Sequence, residues 1–314
     1  MGKTFNDLRV RYSLASMPMK FIYINVAVFV VVKVVALLFI LMGMSPDIFM
    51  SYLELPSMLP VIAVQPWTVV TYMFLHFDIL HILFNMLWLY WFGVLFMQMF
   101  NARQFVGLYL LGGIGGAVLF VLAYNLLPYF SGQYGMLLGA SASILAVVTA
   151  TAMRAPDYKL NLLLVGAVSL KWVAIITIFI DFISIDTGNA GGHIAHIGGA
   201  AVGVAFGYAA RRGKDLTAPI NGFIDSMVNF FRRLQGVKIA GRRKRKASWG
   251  EPIFNNNAPK TPRQDGSEPR MSATDEADLD VILAKIKQSG YASLTAAEKK
   301  RLFEVSSSGN MRDK

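Results

Sequence analysis

Apolar runs long enough to cross a lipid bilayer constrain this chain more than any other feature. A helix needs about 20 apolar residues to cross a hydrocarbon layer of about 30 Å, and several such runs lie before residue 211. Of the 314 residues 55% are hydrophobic, yet the formal net charge is +11. A soluble domain rarely combines these properties, whereas a membrane domain with basic flanks does. The sequence therefore predicts an all-α polytopic membrane protein.

Hydropathy divides the predicted membrane domain, residues 21–210, into six spans. The polar, basic segment 1–20 precedes an apolar stretch too long for a cleavable signal peptide, so span 1 is expected to be retained. Spans 4 and 5 are short for lipid-facing helices, which indicates tilt or shelter inside a bundle. In chain order, the six spans are Phe21–Met44, Asp78–Met97, Phe105–Leu127, Leu138–Met153, Lys171–Ile185 and Gly192–Ala210.

Among the connections between these spans, only alternate ones contain lysine or arginine. The connections without either residue are 45–77, 128–137 and 186–191. Because positively charged connections stay on the cytoplasmic side, both termini are predicted to be cytoplasmic. His81, Ser141 and His196 then lie at the outer ends of spans 2, 4 and 6, at similar depth.

The segment 139–143, Gly-Ala-Ser-Ala-Ser, places small residues around Ser141 at the predicted start of span 4. Small neighbours let a substrate carbonyl come close, and the free N–H groups of a helix N-terminus can stabilise an oxyanion. Close helix packing is the alternative interpretation, because small-residue clusters are common where membrane helices meet. Ser143 is a rival nucleophile, but two residues along a helix it points to nearly the opposite face.

His196 lies inside span 6, where an ionisable residue is costly and indicates function. Its imidazole can accept a proton from a serine near neutral pH. Gly199 and Gly203 lie on one helical face, so another helix can approach that face very closely. A hydrogen-bonded structural histidine is the alternative, and His193, one turn earlier, is the weaker candidate for a base.

Span 2 carries a third polar group, formed by His81 and Asn85. Their spacing of four residues places both on the same side of a helix. Two side-chain donors on one face could stabilise an oxyanion together with the backbone N–H of Ser141. A polar contact between helices is the alternative interpretation.

Metal binding by the four histidines is a further alternative. The chain has no cysteine, which excludes a thiolate nucleophile and a zinc-thiolate site. No acidic residue stands at metal-site spacing from His76, His81, His193 or His196 to complete a ligand set. The sequence therefore predicts neither a metal nor a cofactor.

Together, the serine in its Gly-Ala-Ser-Ala setting, the upstream His-x-x-x-Asn and the downstream Ala-His-x-x-Gly-x-x-x-Gly resemble the rhomboid family of intramembrane proteases. The resemblance covers roughly 21–210 and is to the bacterial type with a cytoplasmic C-terminal extension. It implies a six-helix bundle in which Ser141 is the nucleophile and His196 the general base. It also implies oxyanion stabilisation by His81, Asn85 and the backbone amide of Ser141.

The resemblance extends to two further parts of the domain, and it has two departures. The connection containing Trp67 is similar to the family's membrane-embedded loop, and span 5 is similar to its substrate gate. Many members carry arginine after this tryptophan, where this chain has Thr68. The fourth position after the serine is often aromatic in the family, and here it is Leu145.

The implied activity is that of an intramembrane serine endopeptidase in a bacterial inner membrane, which cleaves transmembrane protein substrates near the outer face. No Asp or Glu lies in span 4 or 6 to orient His196, so a Ser-His dyad is expected rather than a triad. The main alternative is a rhomboid-like pseudoprotease that acts as a binding or quality-control factor. A channel or transporter is a third possibility, but no charged relay or inverted repeat is visible.

The polar part of the chain after residue 210 divides into three segments. Residues 211–236 form an amphipathic juxtamembrane segment, and the basic run that follows predicts anionic membrane lipid as a partner rather than nucleic acid. Residues 237–273 indicate a basic, disordered linker. Residues 274–308 predict a small helical domain, in which Thr295 and Glu298 form a capping box.

Overall fold

The computed structural model describes residues 10–76, 78–162, 166–186 and 188–234, together with Ile282, Lys285, Thr295 and Glu298. The chain divides into two compact units, Met1–Phe254 and Asn255–Lys314. The predictions for residues 1–9, for the linker 237–273 and for most of the domain 274–308 lie outside the described residues.

Helices dominate the first unit, and the six longest membrane-domain helices occupy the positions of the six predicted spans. Residues 10–14 are helical. From residue 17 to residue 234, the α-helices of the described residues are α1 Met17–Leu41, α2 Asp47–Met50, α3 Leu59–Val64, α4 Thr68–Thr71, α5 Ile79–Met99, α6 Ala102–Leu126, α7 Ser141–Arg154, α8 Leu170–Ile183, α9 Ala190–Arg211 and α10 Ala218–Leu234. Short 3-10 helices lie at Tyr72–Phe74 and Pro128–Phe130.

Four of these helices are long and apolar enough to cross a bilayer: α1, α5, α6 and α9. They confirm a helical, polytopic membrane protein. Helices α7 and α8 have 14 residues each, and at 1.5 Å per residue each is about 21 Å long. Six complete crossings therefore remain a prediction, while the helical bundle itself is confirmed.

Helix α7 lies inside the bundle, and glycines of its neighbours make this possible. A Cβ atom on Gly199 of α9 would lie 2.0 Å from the carbonyl oxygen of Ala142, and one on Gly203 would lie 2.2 Å from that of Ala146. Backbone therefore contacts backbone along the seam between α7 and α9. The predicted close approach along the face of Gly199 and Gly203 is confirmed.

Two short β-pairs add to the helical architecture. Strand β1, Leu55–Pro56, pairs antiparallel with β2, Met136–Leu137. Strands β3, Lys159–Leu162, and β4, Gly166–Ser169, form a hairpin between α7 and α8. Hydropathy predicts no element between spans 4 and 5, because four-residue strands give too short a pattern to distinguish from interfacial coil.

The connection between α1 and α5 is anchored to itself by side chains. Trp67 Nε1 donates to the carbonyl of Tyr52 at 2.7 Å, and Thr71 Oγ1 donates to that of Leu53 at 2.6 Å. Thr68 is buried and donates to the carbonyl of Gln65 at 2.7 Å. In this chain Thr68 thus serves the local backbone of the loop.

Helix α10 lies within the predicted amphipathic segment and contacts the first turn of α6. Asn221 Nδ2 donates to the carbonyl of Arg103 at 3.0 Å, and Arg103 also pairs with Asp225. Phe223 and Phe230 on α10 are exposed. One face of α10 therefore contacts α6, and its large apolar side chains are exposed away from this contact.

In the second unit, the predicted capping box is confirmed. The backbone N–H and the hydroxyl of Thr295 donate to Glu298 Oε2 at 2.7 and 2.8 Å, and the N–H of Glu298 donates to Thr295 Oγ1 at 3.3 Å. Lys285 also contacts this carboxylate at 2.8 Å. Lys285 and then Thr295 lower the pKa of Glu298 to about 2, because both stabilise its charged form.

Candidate active site

A cleft of about 320 Å³ brings together residues from α5, α7, α8 and α9. Its wall is mostly apolar, and a small set of polar groups converges on it, as in many ligand sites. The residues that line it are His81, Phe84, Asn85, Trp88, Ser141, Ile144, Leu145, Thr177, Asp181 and His196. All four predicted site residues are among them.

Ser141 and His196 are in direct hydrogen-bonding contact across the seam of α7 and α9. Ser141 Oγ lies 2.6 Å from His196 Nε2. Ser141 is the first residue of α7, so its backbone N–H belongs to the turn that has no partner within the helix. His196 lies in the second turn of α9. The backbone contacts at Gly199 and Gly203 fix the separation of the two helices and so support this contact.

Asp181 of α8 completes the arrangement, and the sequence-based expectation of an unsupported dyad is wrong on this point. Asp181 Oδ1 lies 2.8 Å from His196 Nδ1, and only 6% of the residue is exposed. A carboxylate that accepts from Nδ1–H leaves the Nε2 lone pair directed at the serine. Ser141, His196 and Asp181 therefore have the connectivity of a catalytic triad.

Asp181 is not among the predicted site residues, because it lies on span 5, whereas Ser141 and His196 lie on spans 4 and 6. Span 5 runs from inside to outside, so its last turn reaches the same depth as the first turns of spans 4 and 6. Asp181 lies in that last turn, and it is the only acidic residue in spans 3 to 6. Topology and composition together contained the signal.

His193 shares the carboxylate of Asp181 with His196. Its Nδ1 lies 2.8 Å from the same oxygen, Oδ1. The ligating atoms of Asp181, His193 and His196 all lie within 4.8 Å of one another. His193 does not contact Ser141, and it is absent from the lining of the cleft.

Gly139 keeps open the space between the serine and His81. Its φ of +128° suits glycine, and its N–H donates to the carbonyl of Tyr72 at 2.9 Å. A Cβ atom on Gly139 would lie 3.1 Å from His81 Nε2 and 3.5 Å from Ser141 Oγ. His81 and Ser141 therefore border one small volume into which a carbonyl oxygen can enter.

Asn85 and His81 line the same cleft, one turn apart on α5. Asn85 Nδ2 donates one hydrogen to the carbonyl of His81 at 2.9 Å, and its second amide hydrogen remains available as a donor. The N–H of His81 donates to Asp78, which caps the helix at 2.7 Å. The oxyanion roles of His81 and Asn85 remain predictions.

His76 supports His81 from behind. Its ring packs edge-to-face on that of His81, with the ring centroids 5.1 Å apart. His76 precedes α5 and is buried. Burial, and secondarily the neighbouring His81, lowers the pKa of His76 to about 4, so the ring is neutral at pH 7.

Ser143 and Leu145 have the surroundings expected from their positions on α7. Ser143 is fully buried and lies outside the cleft, with its Cα only 3.3 Å from where a Cβ on Gly112 of α6 would be. Leu145 lines the cleft and is 4% exposed. Ser143 therefore faces a neighbouring helix, while Leu145 supplies apolar wall where other members of the resembled family often carry a ring.

Two segments of the chain match known family models. Residues 63–213 match the Rhomboid domain. Residues 271–308 match a family of unknown function, DUF6576. The first match contains every residue of the Ser141–His196–Asp181 arrangement, and the second contains the capping box.

Curated relatives agree with the first match. The chain is 32% identical over 158 residues to RHOMBOID-like protein 12, mitochondrial, of Arabidopsis thaliana, which covers 47% of each protein. It is 30% identical over 134 residues to Presenilin-associated rhomboid-like protein A, mitochondrial, of Danio rerio, which covers 42% of this chain and 34% of the relative. The chain thus spans about half or less of the length of these relatives.

Proposed function

This chain belongs to the rhomboid family, and from that premise we propose that it is an intramembrane serine endopeptidase. The observation that carries the proposal is the 2.6 Å contact between Ser141 Oγ and His196 Nε2 inside a cleft. The carboxylate of Asp181 on Nδ1 of the same imidazole strengthens it. The family is generally proteolytic, and this chain retains the groups that such chemistry requires.

The proposed reaction proceeds through an acyl-enzyme. Ser141 Oγ attacks a peptide carbonyl of the substrate while His196 Nε2 accepts the serine proton. His196 then gives that proton to the leaving amine, and the peptide C–N bond breaks. Water, deprotonated by His196, hydrolyses the ester and regenerates Ser141.

Charge develops on the carbonyl oxygen in both steps, and we assign its stabilisation to three donors. These are the backbone N–H of Ser141, the side chain of His81 and the free amide hydrogen of Asn85. Loss of one such donor typically costs about 10²- to 10³-fold in kcat. The space beside Gly139 is where the oxygen would lie.

Asp181 acts through His196 and is therefore a positioning residue. In the productive tautomer Nδ1–H donates to Asp181, so the Nε2 lone pair faces Ser141. Once His196 has taken the serine proton, the carboxylate also stabilises the imidazolium.

The proposed substrates are transmembrane segments of other proteins. An intact helix shields its carbonyls in hydrogen bonds, so the segment must open locally near the outer surface to be cut. The family resemblance adds a preference for a small residue before the cut. Exposed apolar side chains on α8, such as Trp172 and Ile176, offer a surface against which a substrate segment could pack.

The test is cleavage of a generic transmembrane substrate by the purified protein in liposomes. Ser141→Ala and His196→Ala are expected to lose cleavage, whereas Ser143→Ala, matched in chemistry on the same helix, retains it. Robust cleavage by Ser141→Ala would overturn the site. If the native protein binds substrate in the membrane but never cleaves it, the rhomboid-like pseudoprotease replaces the protease as the function.

The protein is an integral membrane protein, and its sidedness is part of the proposal. Both termini are assigned to the cytoplasmic side. The bacterial inner membrane implied by the sequence resemblance finds no support in the two relatives, because both are named as mitochondrial.

Sidedness can be measured because the chain contains no cysteine. Gln133→Cys and Lys214→Cys are both at exposed positions. In intact cells, an impermeant maleimide should label only the first. Labelling of Lys214→Cys from outside would reverse the topology.

We also propose that α10 lies on the membrane surface with anionic lipid as its partner. Phe223, Phe230 and Phe231 are each more than half exposed, and Arg232 follows them. A fluorophore on Phe230→Cys should be quenched by brominated lipid. Quenching by aqueous iodide instead would contradict this placement.

A further inference from the structure

The structure brings together three potential metal ligands, Asp181, His193 and His196. From the sequence, no acidic residue was expected to complete a ligand set with the histidines. Histidine and carboxylate ligands in a 2:1 ratio are a common protein set for Zn²⁺. The two histidines are three residues apart on the first turns of α9, and the carboxylate comes from the last turn of α8. The acidic ligand thus comes from a different helix than the two histidines.

We propose that Asp181 Oδ1, His193 Nδ1 and His196 Nδ1 bind a zinc-type divalent cation, and that this ion inhibits the protein. The inhibitory part rests on the proposed protease function, while the binding part does not. Both nitrogens already lie 2.8 Å from Oδ1, and the three atoms lie within 4.8 Å of one another. Zinc bonds of roughly 2.0–2.2 Å hold tetrahedral ligand atoms roughly 3.4 Å apart. Each O–N distance must therefore widen by roughly half an ångström, and the two nitrogens must also come to roughly 3.4 Å from each other.

The surroundings permit both entry and this adjustment. The side chains of His193 and His196 are 19% and 21% exposed, and Asp181 lines the cleft. Helix α8 buries only Leu170, Val173, Ala174 and Asp181, so its last turn can shift with little loss of packing. Water or hydroxide can fill the fourth position, as at many zinc sites with three protein ligands.

Inhibition follows from the single proton of a neutral imidazole. Catalysis needs this proton on Nδ1 of His196, where it faces Asp181, so that Nε2 can accept from Ser141. A metal ion on Nδ1 needs the lone pair there, and the proton then resides on Nε2. An N–H would face Ser141 Oγ, and the serine could no longer give up its proton. The ion therefore stabilises the unproductive tautomer without touching the nucleophile.

Binding is measured first, in a variant that cannot cleave. Tag-free Ser141→Ala protein in detergent is titrated with Co²⁺, whose visible absorption reports low-coordinate N/O sites, and then with Zn²⁺ in competition. One equivalent is expected. The chain has four histidines and no cysteine, and His76 is buried, so background sites are few.

The matched variants are His193→Ala and His193→Asn, each combined with Ser141→Ala. Asparagine can still donate to Asp181 but is a poor zinc ligand, so it replaces the alanine variant if that one folds poorly. Both should weaken binding at least about tenfold, since one of three protein ligands is gone. Unaltered stoichiometry and affinity in a folded His193 variant would overturn the site, as would an absence of binding in the parent.

Inhibition is measured next, in protein with its native serine. Zinc at micromolar concentration should suppress cleavage, a chelator should restore it, and millimolar Mg²⁺ should have no effect, because Mg²⁺ prefers oxygen ligands. Zinc sensitivity, taken as the rate ratio with and without the ion, should fall at least about tenfold in His193→Asn. Equal sensitivity of both proteins would overturn the inhibitory role. If the protein binds zinc but never cleaves a substrate, the metal site is supported and the proposed protease function is wrong.

Discussion

Helices α7 and α8 have the same length and follow one another in the chain, but they are held in opposite ways. Of the 14 residues of α7, 11 are buried, whereas α8 buries four of its 14. The first carries the nucleophile, and the second carries the carboxylate that orients the base. The nucleophile is therefore fixed by backbone packing, while the orienting group is attached through a helix that faces away from the bundle over most of its surface.

Rigidity is therefore distributed unevenly around the site. Ser141 and His196 need one separation, and the glycine seam between α7 and α9 sets it. Asp181 needs only to reach an imidazole nitrogen, which a side-chain rotation on a loosely packed helix can achieve. Four substitutions test this difference between the two helices.

The largest effect is expected at the seam, with Gly199→Ala. The added Cβ would lie 2.0 Å from the carbonyl oxygen of Ala142, so the two helices must separate. We expect a destabilisation of about 3 kcal/mol or more and complete loss of cleavage, measured by thermal unfolding in detergent and by the liposome assay. Gly222→Ala is the matched control, because no atom of the described residues lies within 4 Å of its added Cβ. Equal stability of the two variants would contradict backbone contact at the seam.

Asp181→Asn is expected to reduce cleavage about 10²-fold or more with little change in stability. The asparagine amide can donate to Nδ1 of His196 and so favours the tautomer that cannot accept the serine proton. The loss should fall on kcat rather than on KM, because substrate need not touch Asp181. Asp157→Asn, in the connection before α8, loses an exposed pair with Lys171 in the first turn of that helix and should cleave normally. Wild-type kcat in Asp181→Asn would return the site to a dyad.

Thr149→Val tests a polar contact across the seam. Thr149 Oγ1 lies within hydrogen-bonding distance of two carbonyl oxygens, that of Ala200 on α9 at 3.0 Å and that of Leu145 in its own helix at 2.8 Å. Thr151 is equally buried but donates only to Val147 of its own helix, at 2.6 Å. We expect Thr149→Val to cost about 1 kcal/mol of unfolding free energy and Thr151→Val clearly less. The reverse order would show that this contact does not hold the seam.

The smallest effect is expected at the outer face of α8, with Ile176→Ala. Ile176 is 50% exposed, and lipid replaces most of what the side chain touches. The unfolding free energy should change by about 0.5 kcal/mol or less. Val148→Ala on α7, where the side chain is fully buried, should cost at least twice as much because it leaves a cavity. Similar costs would remove the contrast between the helices.

Sequence predicted α7 and its surroundings well, because its signals are local. Hydropathy located six helices within a few residues, and the spacing of Gly199 and Gly203 identified the packed face. The grouping of His81, Ser141 and His196 at similar depth followed from charge placement and span direction. These inferences needed only the spacing of residues along a helix, the sign of the charges in the connections and the order of the spans along the chain.

What sequence could not give depends on how separate helices rotate about their axes. Neither the contact of Asp181 with His196 nor its sharing with His193 follows from hydropathy, because both depend on which way the last turn of α8 faces. The β3–β4 hairpin was likewise missed, since its strands are four residues each. The expectation that no acidic ligand accompanies the histidines failed for the same reason: it compared positions along the chain and not in space.

Because the seam between α7 and α9 is formed by backbone atoms, no substitution of its glycines is expected to have a small effect. Every side chain larger than hydrogen at Gly199 or Gly203 pushes the same two backbones apart, so variation there is all or nothing. Helix α8, in contrast, can exchange its outward residues one at a time. Descendants of this protein are therefore free to diverge in the segments they accept and in how they are switched, while the distance between hydroxyl and imidazole is inherited whole.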